Sequence, residues 1–499
     1  MANPLKNLET PELFFGFVSA VGANINDSMS EFRAKLQSLG YRVIDVSVTE
    51  YFEKASQKIA PKETLVRTPE YDRIKSHIAY GNQLRTHFDD ASVLTSLAVY
   101  DIAKKRKRPN VTNAPAAYEG TAYLLRQFKR KEEIDLLRSI YGRLFFQISV
   151  YSRRSARVEN LSRIFADGDG AGNSKDYRSK AEALVQIDEN EVTDEFGQRV
   201  GKIFHDADFI INADALVPSV GQQVGRFLDL VFGSNCISPN KHEYGMFLAK
   251  AAALRTLDLS RQVGAAIFSE NGEVICLGSN EVPKALGGTY WSDELFDDRE
   301  YKRGIDSNDK RKRELLTDLF RAFDPDISKQ SLLKNEKILD SQFMDALEYG
   351  RIVHAEMSAI SDAARNGRAL RGTIMYTTTF PCHMCAKHIV ASGVSRVVFL
   401  EPYPKSLAES LHADSIEAEN SERGKYSKFP SVKFEHFYGV TPRRYRDLFE
   451  RGSRKGKDGK FQPFISTEGT RPNIAVLYPF YFHFEHLVLE HFKSLVSES

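Results

Sequence analysis

"HAEMSAI" (354–360) places a histidine and a glutamate two positions apart at the start of a helical pattern, and "PCHMCAKHIV" (381–390) follows one β-rich stretch later. Cys382 and Cys385 have the C-x-x-C spacing with which one helical turn holds two thiolates on a single cation, and the unpaired amides of a helix N-terminus favour those thiolates. His354 supplies a third ligand. Two sulfurs and an imidazole suit zinc better than magnesium, calcium or manganese. Three ligands leave one position open, as catalytic sites do, and Glu356 lies where a carboxylate reaches bound water as a proton carrier without being a ligand. The competing readings are a closed structural zinc site, with His383 or His388 as fourth ligand, or no metal at all.

Working outward, a helical pattern over 243–257 precedes two β runs, "VGAAIFS" and "EVICLGSN", joined through "ENGE". Asn271-Gly272 there predicts a two-residue type I′ hairpin turn, in which both central residues need positive φ. Helix 354–367, strand 373–380, helix 381–393 and strand 396–402 complete an α-β-β-α-β-α-β order. About 282–350 is charged and turn-rich and is expected to be an insertion at the rim of the sheet. Nearer the start, "LFFGFVSA" (13–20), "SMSEFRAKLQSLG" (28–40) and "YRVIDVSV" (41–48) predict a βαβ unit, with further strands in 143–151 and 206–214. A mostly parallel sheet covered by helices follows from that alternation. The expected domains are 1–236, 237–450 and a C-terminal extension over 451–499.

The 499 residues are too many for one ordinary core,. Lys and Arg number 69 against 67 Asp and Glu, a net charge of +2 that announces no polyanion partner,. Four cysteines make no disulfide framework at this length, and reduced thiols with metal use fit better,. No apolar run reaches the roughly 18 residues of a membrane span, and the start lacks a leader pattern, so a cytoplasmic location without membrane contact is expected.

H-x-E followed by P-C-x-x-C is the signature of the zinc deaminases. Through it, and through "SRQVGAAI" (260–267) and "GSN" (278–280), the segment from about 243 to 440 resembles the deoxycytidylate deaminase branch of the cytidine deaminase superfamily. The resemblance implies a cytidine deaminase-like α/β/α domain, Zn2+ on His354, Cys382 and Cys385, and Glu356 as the catalytic acid and base that serves N3 of the pyrimidine and the leaving ammonia. It also implies Asn280 against the sugar or base, Arg261 near the phosphate, and a homo-oligomer. From spacing alone Arg261 reads as an exposed helix-end charge and Asn280 as a turn residue. Tyr403 reads equally as a wall of the base pocket or a packing residue, and Trp291 as a lid over the base or an anchor of the insertion.

"FGFVSAVGANINDSMSEF" leaves a strand for a helix where a phosphate loop G-x-x-x-x-G-K-[ST] belongs, but the register sets Phe17, Gly22, Ala23 and Asn24 at its fixed positions,. The lysine is missing; a helix N-terminus with Gly22 and Asn24 still offers amides to an anion. The stretches 119–142 and 151–161 look like the helical, arginine-bearing lid of nucleoside monophosphate kinases, with Arg153, Arg154 and Arg157 as a phosphate clamp or as a solvated helix face. "KKRKRPN" (104–110) reads as a solvated basic loop. A degenerate P-loop kinase-like parallel-sheet domain ahead of a deoxycytidylate deaminase domain, with "HFYGVTPRRYRDLFERG" (436–452), resembles the bacterial anti-phage deoxycytidine nucleotide deaminases. That implies conversion of dCTP and dCMP to dUTP and dUMP, restrained by a small inhibitory RNA. Two other classes compete: a polynucleotide (RNA or single-stranded DNA) cytosine deaminase, and a regulatory nucleotide sensor with structural zinc. Near-neutral charge and a single tryptophan disfavour the first, and Glu356 disfavours the second. The choice between dCTP and dCMP, the oligomer and the trigger of activity are not written in the sequence.

Overall fold

The structure, a computed structural model, describes residues 8–106, 120–126, 128–170, 172–189, 200–325, 332, 334–339, 341–403, 405–419, 423–463, 471–474, 476 and 480–498. The chain divides into two compact units, 1–239 together with 438–499, and 240–437.

The first unit is built on β1 (Leu13–Ser19), β2 (Arg42–Ser47), β3 (Thr121–Arg126), β4 (Phe145–Tyr151) and β5 (Phe209–Asn212), all parallel, in the order β5-β4-β1-β3-β2. β1 and β4 read "LFFGFVS" and "FFQISVY" and are buried at every position but the last. Such continuous apolar runs belong to strands covered on both faces. The helices that matter below are α1 (Ile25–Ser38), α2 (Glu70–Phe88), α3 (Arg154–Gly168), α4 (Arg178–Glu189) and α5 (Val220–Val231). The expected βαβ start and the strands in 143–151 and 206–214 are present. The helical lid expected over 119–142 is instead a strand and then a helix, because "TAYLLR" pairs with both β1 and β2, one strand in from the edge of the sheet. Its leucines face two buried layers rather than one helical stripe. Residues 107–110 of the basic run lie outside the described residues.

Composition suggested a boundary at 236 and a separate extension from 451. The structure returns 438–499 to the first unit. A two-residue strand over Gly439–Val440 adds antiparallel to β5, Thr441 Oγ1 donates to Ala207 O at 2.6 Å, and Arg444 Nε donates to buried Asp208 at 3.0 Å. Further on, Glu485 and Glu12 grip Arg106 from two sides in a buried cluster.

The second unit opens with α6 (Lys241–Ala253) and holds β6 (Gly264–Phe268), β7 (Val274–Ser279), β8 (Ile374–Thr379), β9 (Arg396–Glu401), β10 (Ile416–Ala418) and β11 (Val432–His436), in the order β10-β11-β9-β8-β6-β7. β6 runs antiparallel to β7 and β8; the other pairs are parallel. α7 (Ala355–Arg365) and α8 (His383–Ser392) follow the expected order. The hairpin turn differs from the type I′ expectation: Gly272 alone carries positive φ, and its amide donates to Ser269 O at 3.0 Å, a four-residue turn ending in a glycine bulge,.

Small residues bring β7 and α7 together. A Cβ on Gly278 would lie 2.1 Å from Ala355 O, so the strand presses backbone against backbone on the first turn of α7, beneath Ala355 and Ala359. In the insertion a helix over Ser307–Arg321 is capped by Asp306, which accepts from Asp309 N at 2.7 Å. No helix among the described residues is long and apolar enough to cross a membrane.

Candidate metal centre and catalytic cavity

Two helix N-termini form the site. His354 is the N-cap of α7 and Cys382 the N-cap of α8, both with extended backbone, so each side chain leaves the chain just before the helix begins. Glu356 and Cys385 sit one turn inside. The four unpaired amides of each helix start favour negative groups there.

His354 Nδ1 is 3.3 Å from Cys382 Sγ and 3.4 Å from Cys385 Sγ, and the three donor atoms lie within 4.8 Å of one another. Bonds of about 2.0–2.3 Å to one shared cation produce such spacings, and two sulfurs with one imidazole nitrogen are a zinc set. Hydrogen bonding from Cys385, with His354 beside it, pushes the Cys382 thiol down to about 4, whereas Cys385, which shares its hydrogen with Cys382 and is buried, is held well above its ordinary value. A cation bound by such thiols displaces their protons, so its affinity for this group would rise with pH. Neither His383 nor His388 joins the cluster: His383 Nε2 lies 3.2 Å from Glu348, and His388 Nδ1 is 2.7 Å from Met384 O.

Glu356 is not among the three grouped donors, yet Cys385 Sγ donates to its Oε2 at 3.3 Å. Burial raises the Glu356 carboxyl above its ordinary range, which suits a group that must take up and release a proton,. The carboxyl, His354 and Cys382 line a cavity of about 110 Å³ together with Asp258, Arg261, Asn280 and Tyr403. Leu347, from the end of the insertion, and Phe380 supply apolar surface there.

Arg261 is half-exposed, 5.1 Å above the Tyr403 ring and 3.5 Å from Glu401. Asn280 is buried; its Oδ1 accepts from Val263 N at 2.7 Å, and its Nδ2 donates to Asp258 at 2.6 Å and Arg261 O at 2.8 Å. Trp291 is elsewhere: it stacks 3.5 Å from the Arg255 guanidinium and lines a separate cleft of about 1060 Å³ beside β7. Sequence reading passed over Asp258 and Ser260. The available signal was Asp-x-Ser, which forms a turn with Ser260 N and Oγ both donating to Asp258 Oδ1,.

In the first unit, Gly22 and Asn24 line a cleft of about 570 Å³ at the carboxyl end of β1, with Arg73, His77 and Lys129. Gly22 has φ of +86°, and a Cβ there would lie 2.6 Å from Arg157 O, so close packing on α3 demands glycine. Asn24 is the N-cap of α1. Arg153 and Arg157 do not line the cleft: Arg153 pairs with Asp214 at 3.2 Å, and Arg157 is buried with Nε donating to Ser152 O. What sequence reading missed is Lys129 and Asp188. Val21 N donates to Asp188 Oδ2 at 2.6 Å, and Lys129 Nζ reaches Asp188 Oδ1 at 2.7 Å and Ser19 O at 2.8 Å.

Residues 239–401 match the family described as the cytidine and deoxycytidylate deaminase zinc-binding region. A probable deoxycytidylate deaminase of Drosophila melanogaster is 28% identical over 204 residues, 40% of this chain and 80% of its own length. The deoxycytidylate deaminase of Enterobacteria phage T2 is 48% identical over 54 residues, 11% of this chain and 29% of the phage protein. The dCMP deaminase of cyanophage S-TIM5 aligns over 40% of this chain and all of its own at 15% identity, with a TM-score of 0.22, too slight a likeness to bear on the fold. The segment 239–401 is thus similar to the zinc-binding region of cytidine-type nucleotide deaminases, which are hydrolases, and it carries a His, Cys, Cys group fit for zinc.

Proposed function

We propose that the second unit removes the 4-amino group of free deoxycytidine nucleotides, dCTP and dCMP, yielding dUTP or dUMP and ammonia, and that the resulting loss of dCTP defends a cell against phage. The observation that carries this reading is a buried Glu356 in contact with a three-donor metal set at the floor of an open cavity. A structural site has no use for that carboxylate.

His354, Cys382 and Cys385 would hold zinc, which when bound would supply an acidified water at neutral pH,. Glu356 accepts the proton of the attacking water, gives it to N3, and then serves the departing amine. A C4–O bond forms, the C4–N bond breaks, and no electrons are exchanged with any other species. Burial of the carboxyl favours its protonated form and so suits a group that carries a proton between the two transfers,. Phe380 and Leu347 give the ring an apolar seat, Asn280 stiffens the loop that carries Arg261, and Arg261 with Tyr403 receives the phosphate at the rim. Self-assembly and restraint by a small RNA belong to the same reading.

The first unit fits a degenerate phosphate-loop fold. Its chain runs from β1 to one side of the sheet and from β4 to the other, and ligands of such sheets bind at the carboxyl ends of the strands where that split occurs,. The lysine of an active loop is absent, so nucleotide or RNA held there is expected to adjust deamination without phosphoryl transfer.

The test is incubation of zinc-loaded protein with dCTP, dCMP, CTP and a cytosine-containing oligonucleotide, reading ammonia and uracil. Release from dCTP or dCMP supports the reading. Release from the oligonucleotide alone replaces it with a polynucleotide deaminase, and phosphoryl transfer lost with a Gly22 variant removes the regulatory view of the first unit.

A further inference from the structure

Resting on the deaminase reading, we propose that Asp258 reads the 3′ position of the substrate sugar: its carboxylate accepts a hydrogen bond from a free 3′-hydroxyl and repels a 3′-phosphate, confining the cavity to unlinked nucleotides.

An ionised carboxylate offers about four acceptor positions. Three at Asp258 are filled: Ser260 N at 2.8 Å and Ser260 Oγ at 3.0 Å on Oδ1, and Asn280 Nδ2 at 2.6 Å on Oδ2. One position on Oδ2 is left, on a side chain that shares a cavity with Glu356 and Cys382. Asn280 has no donor to spare, since its amide hydrogens go to Asp258 and to Arg261 O. A hydroxyl that must donate therefore finds its anionic acceptor at Asp258.

Orientation follows from the chemistry of the two ends. C4 of the ring must reach Glu356 and the metal donors, so N1 and the sugar it bears point back toward the mouth. Arg261, half-exposed above Tyr403, is the cation for the 5′-phosphate. Asp258 stands three residues before Arg261, and Asn280 Nδ2 bonds both to its carboxylate and to Arg261 O, so the negative charge lies on the cavity wall beside the loop that carries the cation, where the sugar between ring and 5′-phosphate would pass. A strand continuing through a 3′-phosphodiester would bring a second anion against that carboxylate.

Full-length zinc-loaded protein would be assayed for ammonia release from dCMP, from 2′,3′-dideoxycytidine monophosphate and from deoxycytidine 3′,5′-bisphosphate, as wild type, Asp258→Asn and Asp258→Ala. A hydrogen bond to a charged group is worth about 10- to 100-fold, so wild type is expected to prefer dCMP over both analogues by at least tenfold in kcat/KM. Asp258→Asn is expected to cut the discrimination against the bisphosphate to a few fold. Because Asp258 also holds Asn280, the variants are judged by ratios between substrates. Equal loss on all three substrates would mean a purely positioning role and would overturn the proposal. If the variants do not fold, wild type alone decides, since equal turnover of dCMP and either analogue overturns it as well. Absence of any dCMP or dCTP deamination by wild type would instead sink the parent reading, a result distinct from unchanged ratios.

Discussion

At Val21 the first unit turns an amide of the loop between β1 and α1 onto its own Asp188, 2.6 Å away, with Lys129 completing the pair. At His354 and Cys382 the second unit turns two helix starts onto a group of donors fit to hold a cation, beside a cavity. Both regions have the amides, the charged side chains and a neighbouring cleft. They differ in whether the chain supplies the missing charge itself. In the first unit a fully buried carboxylate does so, and Ala23 N and Ile25 N close on Ala20 O and Ala23 O. The loop's hydrogen bonding is thereby largely spent internally, whereas the second unit gathers three donor atoms suited to an outside cation. A helix start alone therefore says little about function; the residual demand for charge says more.

The sharpest way to break this contrast is to remove one carboxylate from each region. Glu356→Ala is expected to lower kcat by about 10²–10⁴-fold, the usual contribution of a general acid and base, with zinc content unchanged by metal analysis. Asp188→Ala is expected to leave kcat within about threefold, and an equal collapse would erase the distinction. Stability should reverse the ranking. Asp188→Asn strands a lysine that is 14% exposed, and breaking such a buried pair costs about 3–5 kcal/mol, to be read as a lower urea midpoint by a probe in the first unit.

Glycines sharpen the comparison at smaller scale. Gly278→Ala drives β7 against Ala355 and so displaces the turn bearing His354 and Glu356; misplacing catalytic groups by about 1 Å is enough for a loss of up to about 100-fold in kcat. Gly22→Ala is expected to destabilise the first unit by about 1–3 kcal/mol through its left-handed backbone, with deamination unchanged. The smallest effect belongs to the rim: Glu401→Gln frees Arg261 from a half-exposed pair, and exposed pairs are worth about 0.2–1 kcal/mol. KM for the nucleotide should fall by up to about threefold at low salt and converge with wild type at high salt.

The metal centre was legible because its parts are local: His354 with Glu356, and Cys382 with Cys385, each sit within one helical turn, and one strand separates the two motifs. The order of elements in the second unit was legible for the same reason. β3 was not, since the spacing of Leu124 and Leu125 before a charged run mimics a helix until strands on both sides claim it. The hairpin was legible but its turn type was not, because Asn271-Gly272 fits a two-residue and a four-residue turn equally. Asp188 and Lys129 lie 59 positions apart, and no local pattern links them. Trp291 misled because a lone tryptophan advertises stacking without naming its partner, here Arg255 rather than a base.

The return of the chain at Gly439–Val440 has a bearing on synthesis. β5 ends at Asn212, and the strand that covers its free edge is made roughly 230 residues later, once all of 240–437 has emerged. At about 5–20 residues per second that is an interval of tens of seconds, during which the nascent first unit carries an uncapped parallel edge. A ribosome stalled inside the second unit would therefore display that edge to other chains, and truncations between 213 and 438 should be the aggregation-prone ones.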